Sequence, residues 1–368
     1  MIRKIKTRID IFTNYLRIKR NTRSNRLAAA APTVLFHLRD IRQEHYYFPI
    51  IFSFHEAGYN VCVADHVRFI GHSFGPARYI YKLSRLVITR QKSAKVHPDV
   101  LITDSVSHYQ KAAAWPKKVL LLPDAFNANG DQSIFLPYPM HPNAYLDRYF
   151  ENLEVLRQQE RKCRILFSGN TDPVAYQNAV IRLKFNKLTR LEVINALLAN
   201  LPSGSCLAVR KKEEEALVGR EYFNGAVLYL WRWSPTQSEN LQIRVANHNW
   251  HAFLASGDFF LCLSGVVIPQ SHNAIEAMSV GAIPILQYAE YFHPPLQHDL
   301  NCITFSGEAD LLQRIDYILS LGKDKIRAMR QAVVAYYEQY LRHDAAANVI
   351  RRLPDGSHKA YFYNEANH

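Results

Sequence analysis

The amino-acid sequence predicts an α/β protein with two domains, each built around a parallel sheet, and a basic helix at its N-terminus. Three observations support this fold class. Short apolar runs alternate with stretches of helical periodicity from residue 33 onward. Several runs are apolar on both faces, which is typical of strands buried in parallel sheets. With 368 residues and 48% hydrophobic content, the chain is long enough to bury two cores.

The first 28 residues form a basic amphipathic segment. They contain nine Lys or Arg and the single acidic residue Asp10, which gives +8 of the chain's net charge of +13. Apolar residues recur there at helical steps: Ile2, Ile5, Ile9, Phe12 and Leu16. Such a helix is typical of segments that lie in an anionic membrane surface. Two alternatives remain: the stripe packs on the protein's own surface, or the segment is an Arg-rich organelle transit peptide.

The first domain is predicted over residues 33–145. Its strands are predicted at 33–36, 60–64, 100–103 and 118–122, with a helix over 44–57. Polar residues follow the strand ends: His37, Asp40, Asp65, Asp104 and Asp124. Ligands of open α/β sheets bind beyond the carboxyl ends of the strands, so we expect these side chains on the ligand side. The alternative for each Asp is a simple helix cap.

A Pro-rich segment at 131–142 is predicted to cross to a second domain over residues 160–322. This domain opens with a strand at 164–167 and the turn Ser168-Gly169-Asn170, where glycine allows the backbone to approach a ligand. A strand at 206–209 leads to Arg210, and one at 226–230 leads to Trp231-Arg232-Trp233. These Trp could stack a nucleobase while Arg232 pairs a phosphate. Alternatively, one Trp is a core residue and the other covers the loop.

Residues 258–286 form a complete strand, loop, helix and strand. The first strand is broken by Ser264-Gly265, Ser271 is placed to cap a helix, and Gly281 ends that helix before the strand at 283–286. The loop brings backbone N–H groups and the positive end of a helix dipole to one point, which suits an anion. It lacks the fingerprints of a P-loop and of a dinucleotide fold.

The segment S-H-N-A-I-E-A-M-S-V-G-A-I-P-I, residues 271–285, resembles the donor-site segment of GT-B glycosyltransferases, in particular exostosin-like and bacterial surface-polysaccharide members. The specific likeness covers roughly 30 residues. Those enzymes have two Rossmann-like domains facing a central cleft, and they move a sugar from a nucleotide-sugar donor. The resemblance implies that Glu276 binds the ribose of the donor. Alternatively, a Glu in the second turn of a helix serves the macrodipole or a solvated face.

By this resemblance the first domain binds the acceptor and the second binds the donor, while residues 323–368 form C-terminal helices that return to the first domain. The implied donor-binding residues are Gly169, Asn170, Arg210, Arg232, Ser264, Gly265, Ser271, His272, Asn273 and Glu276. The implied acceptor is a polysaccharide or glycolipid, such as lipopolysaccharide or capsule. We expect a cytoplasmic enzyme that is peripheral on the inner membrane.

The expected chemistry needs no metal ion. The sequence contains no Asp-x-Asp, so the leaving phosphate would be neutralised by a helix terminus and by cations. The candidate cations are Lys184, Lys187, Arg210 and Arg232. An inverting enzyme also needs a base for the acceptor hydroxyl, and His37 and Asp104 are preferred over Asp40 and Asp65. A retaining enzyme would need no such base.

Other classes of protein receive less support. The sequence has no secretory signal and no apolar run of about 18 residues. Its five Cys form no C-x-x-C pair and are expected to be reduced core residues, and its 16 His lack zinc-site spacing. A basic nucleic-acid-binding protein remains a rival because the pI is 9.4, although no binding motif is present. A catalytically inactive GT-B scaffold is the other rival.

Overall fold

The computed structural model describes residues 2–41, 44–73, 75–89, 98–112, 117–122, 134–176, 179–201, 206–209, 228–234 and 244–361. The chain divides into two units. The first contains Met1–Leu146 and His343–His368, and the second contains Asp147–Arg342. Asp124, Arg210 and the side chain of Trp231 lie outside the described residues.

A parallel sheet of seven strands forms the centre of the first unit. Its strands are β1 (Thr33–His37), β2 (Asn60–Ala64), β3 (Leu86–Thr89), β4 (Val100–Thr103), β5 (Lys118–Leu121), β6 (Ile134–Phe135) and β13 (Gly356–Tyr361). They lie in the order β3-β2-β1-β4-β5-β13-β6, and each described pair is parallel. The predicted strands β1, β2, β4 and β5 are confirmed. Their apolar runs are buried because helices cover both faces of such a sheet.

Helices of the first unit surround this sheet. They are α1 (Ile2–Asn21), α2 (Glu44–Glu56), α3 (Val67–His72), α4 (Val106–Ala112), α5 (Pro142–Leu146) and α14 (Ala345–Arg352), with a 3₁₀ segment at Gly75–Lys82. The chain returns to this unit through α14, where the N–H of Ala347 donates to Oγ of Ser53 at 2.9 Å. The return begins at His343, within the C-terminal segment 323–368 that the resemblance implies returns to the first domain.

One face of α1 packs on the first unit. Nδ2 of Asn14 donates to the carbonyl of Gly71 at 3.0 Å and to that of Ser73 at 3.1 Å. A Cβ at Gly71 would lie 2.5 Å from the carbonyl oxygen of Ile11, so glycine permits the close approach of α1 to α3. Tyr15 and Ile18 are buried on the same face. Helix α1 is therefore anchored by residues other than its predicted apolar stripe.

A second parallel sheet forms the centre of the second unit. Its strands are β7 (Cys163–Asn170), β8 (Cys206–Val209), β9 (Leu228–Trp233), β10 (Gly257–Leu261), β11 (Ile283–Leu286) and β12 (Ile303–Thr304). They lie in the order β12-β11-β10-β7-β9-β8, and each described pair is parallel. The prediction of two α/β domains with parallel, Rossmann-like sheets is confirmed.

The helices of the second unit are α6 (Leu153–Gln158), α7 (Pro173–Tyr176), α8 (Val180–Phe185), α9 (Arg190–Asn200), α10 (Trp250–Leu254), α11 (His272–Ser279), α12 (Glu308–Ser320) and α13 (Lys323–Tyr336), with a π-helical turn at Tyr337–Leu341. Short 3₁₀ segments lie at Tyr149–Asn152, Asn247–Asn249 and Ala289–Tyr291. The helical segment from 142 to 158 is broken into α5, a 3₁₀ turn and α6. The break lies at Arg148, whose φ of 46° is left-handed.

The strand, loop, helix and strand predicted over 258–286 are confirmed as β10, α11 and β11. Gly281 follows α11 with a φ of 76°, which a side chain would strain. Two guanidinium groups bind the carbonyl end of this helix. Arg157 donates to the carbonyl of Ser279 at 2.9 Å, and Arg161 donates to that of Val280 at 2.6 Å. These cations stabilise the negative end of the α11 dipole.

Four of the five cysteines behave as predicted. Cys62, Cys163, Cys262 and Cys302 are free thiols, and each is buried. Burial raises the pKa of each of these thiols, so they remain protonated at neutral pH and pack as small apolar groups.

Candidate functional site

The loop between β10 and α11 is the centre of the candidate site in the second unit. It runs from Ser264 to Ser271 and lies beyond the carboxyl end of β10. Ser271 occupies the N-cap position of α11, but its side chain makes no capping hydrogen bond. The positive end of α11 therefore lacks the usual hydroxyl cap, which leaves it suited to an anion.

Glycine gives this loop its compact path. A Cβ at Gly265 would lie 2.8 Å from the carbonyl oxygen of Ile268 and 3.0 Å from that of Gln270. Ser264 Oγ donates to the carbonyl of Leu188 at 3.2 Å. The missing side chain at Gly265 thus lets the loop fold back on itself. Ser264 ties the loop to the segment before α9.

Glu276 is buried, although it is charged and lies in the second turn of α11. Its side chain is 3% exposed, which rules out the alternative of a solvated helix face. The indole Nε1 of Trp250, the first residue of α10, donates to its Oε2 at 2.6 Å. Trp250 also stacks on Phe253 and meets Phe260 edge-on. The structure thus holds this carboxylate one turn inside the helix terminus, and its binding of a ribose stays a prediction.

Arg190 is the cation that the sequence reasoning missed. It begins α9, behind the N-cap Thr189, and it is 5% exposed. Its guanidinium donates to three main-chain carbonyls: those of Asn170 at 2.9 Å, Ser264 at 3.2 Å and Leu263 at 3.4 Å. It also lies over the ring of Tyr176, 4.2 Å from the centroid. Arg190 therefore joins the carboxyl end of β7 to the loop that follows β10.

The charge of Arg190 has no carboxylate partner among the residues that the structure describes. Burial lowers the pKa of this guanidinium, because the charged form loses its hydration. Carbonyl dipoles and an aromatic ring compensate part of that cost. A buried cation held by neutral groups, and bonded to Ser264 at the start of the loop, would gain stability from an anionic ligand. The sequence signal for the position of Arg190 is the capping box at Thr189 and Glu192, which sets the start of α9.

Gly169 and Asn170 have structural contacts rather than an open backbone. A Cβ at Gly169 would lie 3.0 Å from the ring of Phe167 and 3.2 Å from Nη1 of Arg190, so this glycine makes room for the guanidinium. Oδ1 of Asn170 accepts from the N–H of Asp172 at 2.8 Å. That the backbone of Gly169 also approaches a ligand stays a prediction.

The remaining predicted residues of the loop cluster lie at the same sheet edge. Nδ2 of Asn273 donates to the carbonyl of Ser168 at 3.3 Å, which ties the start of α11 to β7. His272 is half-buried beside it. Arg232 lies opposite Gly169 in the pairing of β9 with β7. The ring of Trp233 is covered by the guanidinium of Arg244 at 4.9 Å, an arrangement closer to the structural alternative than to a free stacking platform.

Two predicted cations outside the loop differ in environment. Nζ of Lys187 donates to the carbonyl of Gln287 and to Glu290, each at 2.5 Å, so its charge is already paired. Lys184 is exposed on α8. Neither has the buried position of Arg190.

His37 and Asp104 lie together at the carboxyl edge of the first sheet. His37 is 3% exposed, and its ring centroid is 3.7 Å from that of His108. Burial lowers the pKa of His37 to about 3, with smaller contributions from His108, Arg39 and His66. The imidazole is therefore uncharged at neutral pH, and its role as the base stays a prediction.

Asp104 is better suited to accept a proton. Its Oδ2 accepts from the backbone N–H groups of Arg39 and Asp40, each at 2.7 Å. Its Oδ1 is buried and makes no hydrogen bond with any described residue. Burial raises the pKa of Asp104, and the nearby charge of Asp40 adds to that rise. One oxygen thus holds the carboxylate in place while the other is left for a ligand.

Asp65 has a different role from Asp104. It follows β2, and its carboxylate accepts from the hydroxyl of Tyr15 at 2.7 Å and from Nζ of Lys19 at 2.5 Å. Both partners belong to α1. Asp65 therefore anchors the N-terminal helix, and this pairing makes it a poor candidate for a base. Asp40 contributes its backbone N–H to Asp104.

Two further properties concern the described part of the chain only. Within it, no group of three or more His, Cys, Asp or Glu side chains has a geometry that could hold a metal ion. No helix in that part combines the length and apolar character needed to cross a membrane.

Several solved structures are similar to this chain. HepE of Anabaena, in complex with UDP-glucose, is 11% identical with a TM-score of 0.42, over 87% of this chain and 97% of that chain. Sucrose-phosphate synthase of Thermosynechococcus elongatus is 11% identical with a TM-score of 0.45, over 87% and 98%. The lipopolysaccharide outer core galactosyltransferase WaaB is 12% identical with a TM-score of 0.35, over 88% and 96%.

No protein-family model and no curated protein matches the sequence. By their names, WaaB is a galactosyltransferase and HepE was solved in complex with UDP-glucose. Their identities are low and their TM-scores lie below 0.5. The two-sheet architecture therefore rests on this chain's own strand pairings.

Proposed function

We propose that this protein is a glycosyltransferase that moves a sugar from a nucleotide-sugar donor to a glycan or glycolipid acceptor. The observation that carries the proposal is the buried carboxylate of Glu276, held by Trp250 one turn behind an uncapped helix terminus. A buried carboxylate that a donor holds in place keeps a fixed orientation and accepts strong hydrogen bonds from the hydroxyls of a ligand. Two adjacent hydroxyls of a ribose are donors of the right spacing for its two oxygens.

The donor phosphates are assigned to the start of α11. The helix dipole and the N–H groups near Ser271 attract negative charge there. Arg190 lies beneath the same loop as a buried cation whose described partners are all neutral. As the bond from the sugar to phosphate breaks, charge develops on the departing oxygen. Fixed dipoles and a fixed cation stabilise that charge without reorganising.

The acceptor hydroxyl is assigned to the first unit. In an inverting transfer the acceptor oxygen forms a bond to the anomeric carbon of the donor sugar. The bond between that carbon and the donor's phosphate oxygen breaks, and the proton of the acceptor hydroxyl passes to a base. Oδ1 of Asp104 is our candidate for that base, since its partner oxygen is fixed by two backbone N–H groups. His37 then contributes to the wall beside it rather than taking the proton.

Charge neutralisation by the helix terminus and Arg190 makes a metal ion unnecessary in this proposal. The acceptor is proposed to be a surface glycan or its lipid-linked precursor, made at the cytoplasmic face of the inner membrane. Support for a peripheral membrane position comes from the net charge of +8 in the first 28 residues.

The proposal is tested by thermal unfolding with a panel of nucleotides and nucleotide-sugars. A nucleotide that binds at 100 times its Kd adds about 2.7 kcal/mol to the stability, so we expect a clear rise in Tm for one base. The same nucleotide-sugar is then supplied with membrane vesicles, and release of free nucleotide is followed. No shift with any nucleotide would contradict the donor site. A shift without turnover would favour the inactive scaffold.

A further inference from the structure

Helix α1 carries an apolar surface that the protein leaves uncovered. Ile9, Phe12 and Leu16 are 59%, 53% and 50% exposed; we call these three residues the outer stripe. At 3.6 residues per turn they lie within about 60° of one another. The opposite face of the helix holds Asn14, Tyr15 and Ile18, which are buried against the first unit. The outer stripe therefore points away from the protein.

The surroundings of the outer stripe are strongly basic. Arg8 and Arg20 flank it by helical position, and Arg23 follows the helix; all three are exposed. A second copy of this chain would bring the same positively charged segment, so like charges would oppose a dimer through this face. An anionic lipid surface complements both properties, because headgroups attract the arginines while the acyl boundary accepts the apolar side chains.

Helix α1 is fixed to the protein rather than tethered by a linker. Lys19 pairs with Asp65 at 2.5 Å, and Asn14 binds two carbonyls at the end of α3. Free amphipathic segments fold when they reach a membrane and lose conformational entropy on doing so. A helix already bonded to its domain avoids that cost, and it transmits its own orientation to the sheet.

The anchoring point lies at the carboxyl edge of the first sheet. Asp65 directly follows β2, and Asp104 directly follows β4. In the sheet, β1 lies between these two strands. With neighbouring strands about 4.8 Å apart, Asp65 and Asp104 follow strand ends about 10 Å apart. His66, the residue after Asp65, is close enough to Arg39 and Asp104 for their charges to act on it. Helix α1 is thus bonded beside the candidate acceptor residues.

We propose that α1 docks the first unit on an anionic lipid bilayer through the outer stripe and holds the carboxyl edge of the first sheet against that surface. The partner is the bilayer itself. Under the proposed function this orientation favours an acceptor hydroxyl carried on a lipid. That consequence rests on the proposed function, whereas the docking does not.

The docking is tested with the full chain and two matched variants. The first replaces the outer stripe by serine: Ile9→Ser, Phe12→Ser and Leu16→Ser. The control replaces three exposed apolar residues of the second unit: Val155→Ser, Leu183→Ser and Leu319→Ser. Sedimentation is measured with vesicles of phosphatidylglycerol and phosphatidylcholine, and with phosphatidylcholine alone. We expect the stripe variant to lose about tenfold or more in affinity for the anionic vesicles, while the control binds as the unsubstituted chain does.

Equal binding by the two variants would overturn the proposal, as would binding that does not depend on phosphatidylglycerol. The variants should share one Tm and one nucleotide-induced shift, because the changed side chains are exposed. A missing nucleotide shift in all three chains would count against the proposed function and leave the docking result valid.

The orientation is tested by quenching. A fluorophore is attached at Ser107→Cys, an exposed position beside Asp104, or at Lys117→Cys, an exposed position at the amino end of β5. Labelling of the unsubstituted chain gives the background. Anionic vesicles carry a headgroup quencher. We expect stronger quenching at position 107 than at 117, and loss of both signals in the stripe variant. Equal quenching, or stronger quenching at 117, would overturn the orientation.

Discussion

The indole N–H of Trp250 donates a 2.6 Å hydrogen bond to Oε2 of Glu276, and this bond ties the start of α10 to the second turn of α11. A carboxylate that is 3% exposed keeps a defined orientation only when such donors hold it. Under the proposed function, the pair orients Glu276 before its ligand arrives. Two substitutions separate the charge of Glu276 from its orientation.

The first prediction concerns the charge. Glu276→Gln keeps the shape of the side chain and an oxygen that can accept from Trp250, but it removes the negative charge. Losing one charge-assisted hydrogen bond to the ligand costs about 1.5 to 3 kcal/mol, or roughly 10- to 150-fold in affinity. We expect nucleotide affinity, measured by titration calorimetry, to fall by that factor while the Tm of the free protein changes little. Unchanged affinity would remove Glu276 from the donor site.

The second prediction concerns the orientation. Trp250→Phe removes the N–H donor and retains an aromatic ring against Phe253 and Phe260. Glu276 keeps its charge but loses one fixed partner, so we expect weaker nucleotide binding by about 1 to 2 kcal/mol. The double variant Trp250→Phe with Glu276→Gln should lose less than the sum of the single losses, since the two residues act as one unit. Strict additivity in this cycle would show that Trp250 does not act through Glu276.

The third prediction concerns Arg190. Arg190→Lys keeps a positive charge but cannot reach three carbonyls at once, which leaves buried acceptors unsatisfied. We expect a loss of about 2 to 4 kcal/mol in the free energy of unfolding. Saturating nucleotide should restore less stability to this variant than to the unsubstituted chain. Arg182→Lys is the matched control, because Arg182 is an exposed guanidinium on the neighbouring helix α8. Equal losses at 182 and 190 would contradict the assignment.

Arg190 also marks where prediction from the sequence ends. Local signals predicted β10, α11 and β11, because apolar runs, caps and glycines act over a few residues, whereas the family resemblance implied Glu276. The capping box at Thr189 and Glu192 marks where α9 begins, but it does not show that Arg190 is buried. Its importance comes from bringing β7 and the loop after β10 together. The carbonyls that it binds, those of Asn170 and Ser264, are 20 and 74 positions away along the chain.

The strand β13, which lies between β5 and β6 in the first sheet, shows the same limit. β13 is a polar strand, Gly356–Tyr361, with mostly exposed side chains over its first half, so it lacks the apolar run by which β1 and β4 were predicted. Its place is set by pairing with β5, a partner more than 230 residues earlier. The N-terminal helix was predicted from its stripe, yet Asn14 and Tyr15, which anchor it, carry no periodic signal.

The fourth prediction concerns metal ions. If the start of α11 and Arg190 neutralise the leaving phosphate, transfer should continue in saturating EDTA at its full rate. Nucleotide release from the donor is measured before and after chelation, with a known metal-dependent transferase as the positive control for chelation. Loss of activity that returns with added Mg²⁺ or Mn²⁺ would show that a metal ion carries this charge.

The fifth prediction concerns pH and Asp104. Burial raises the pKa of this carboxyl above its ordinary value of 3.8. As a base, Asp104 must be ionised, so activity should fall as the pH drops through the raised pKa. His37 should add no inflection near 6.5, because its own pKa is about 3. We expect Asp104→Asn to lower kcat by about 10² to 10⁴ and to abolish this acid limb, whereas His37→Gln should keep the limb.

The same shift determines the sign of a stability change. A carboxyl whose pKa is raised by folding favours the folded state when protonated; that contribution is complete below the ordinary pKa and is lost as the pH rises through the raised value. The Tm of Asp104→Asn minus the Tm of the unsubstituted chain should therefore be more positive at pH 7 than at pH 4. A difference in Tm that stays constant across this range would mean that Asp104 titrates normally.

Full activity in Asp104→Asn would instead favour a retaining transfer, which needs no base at this position.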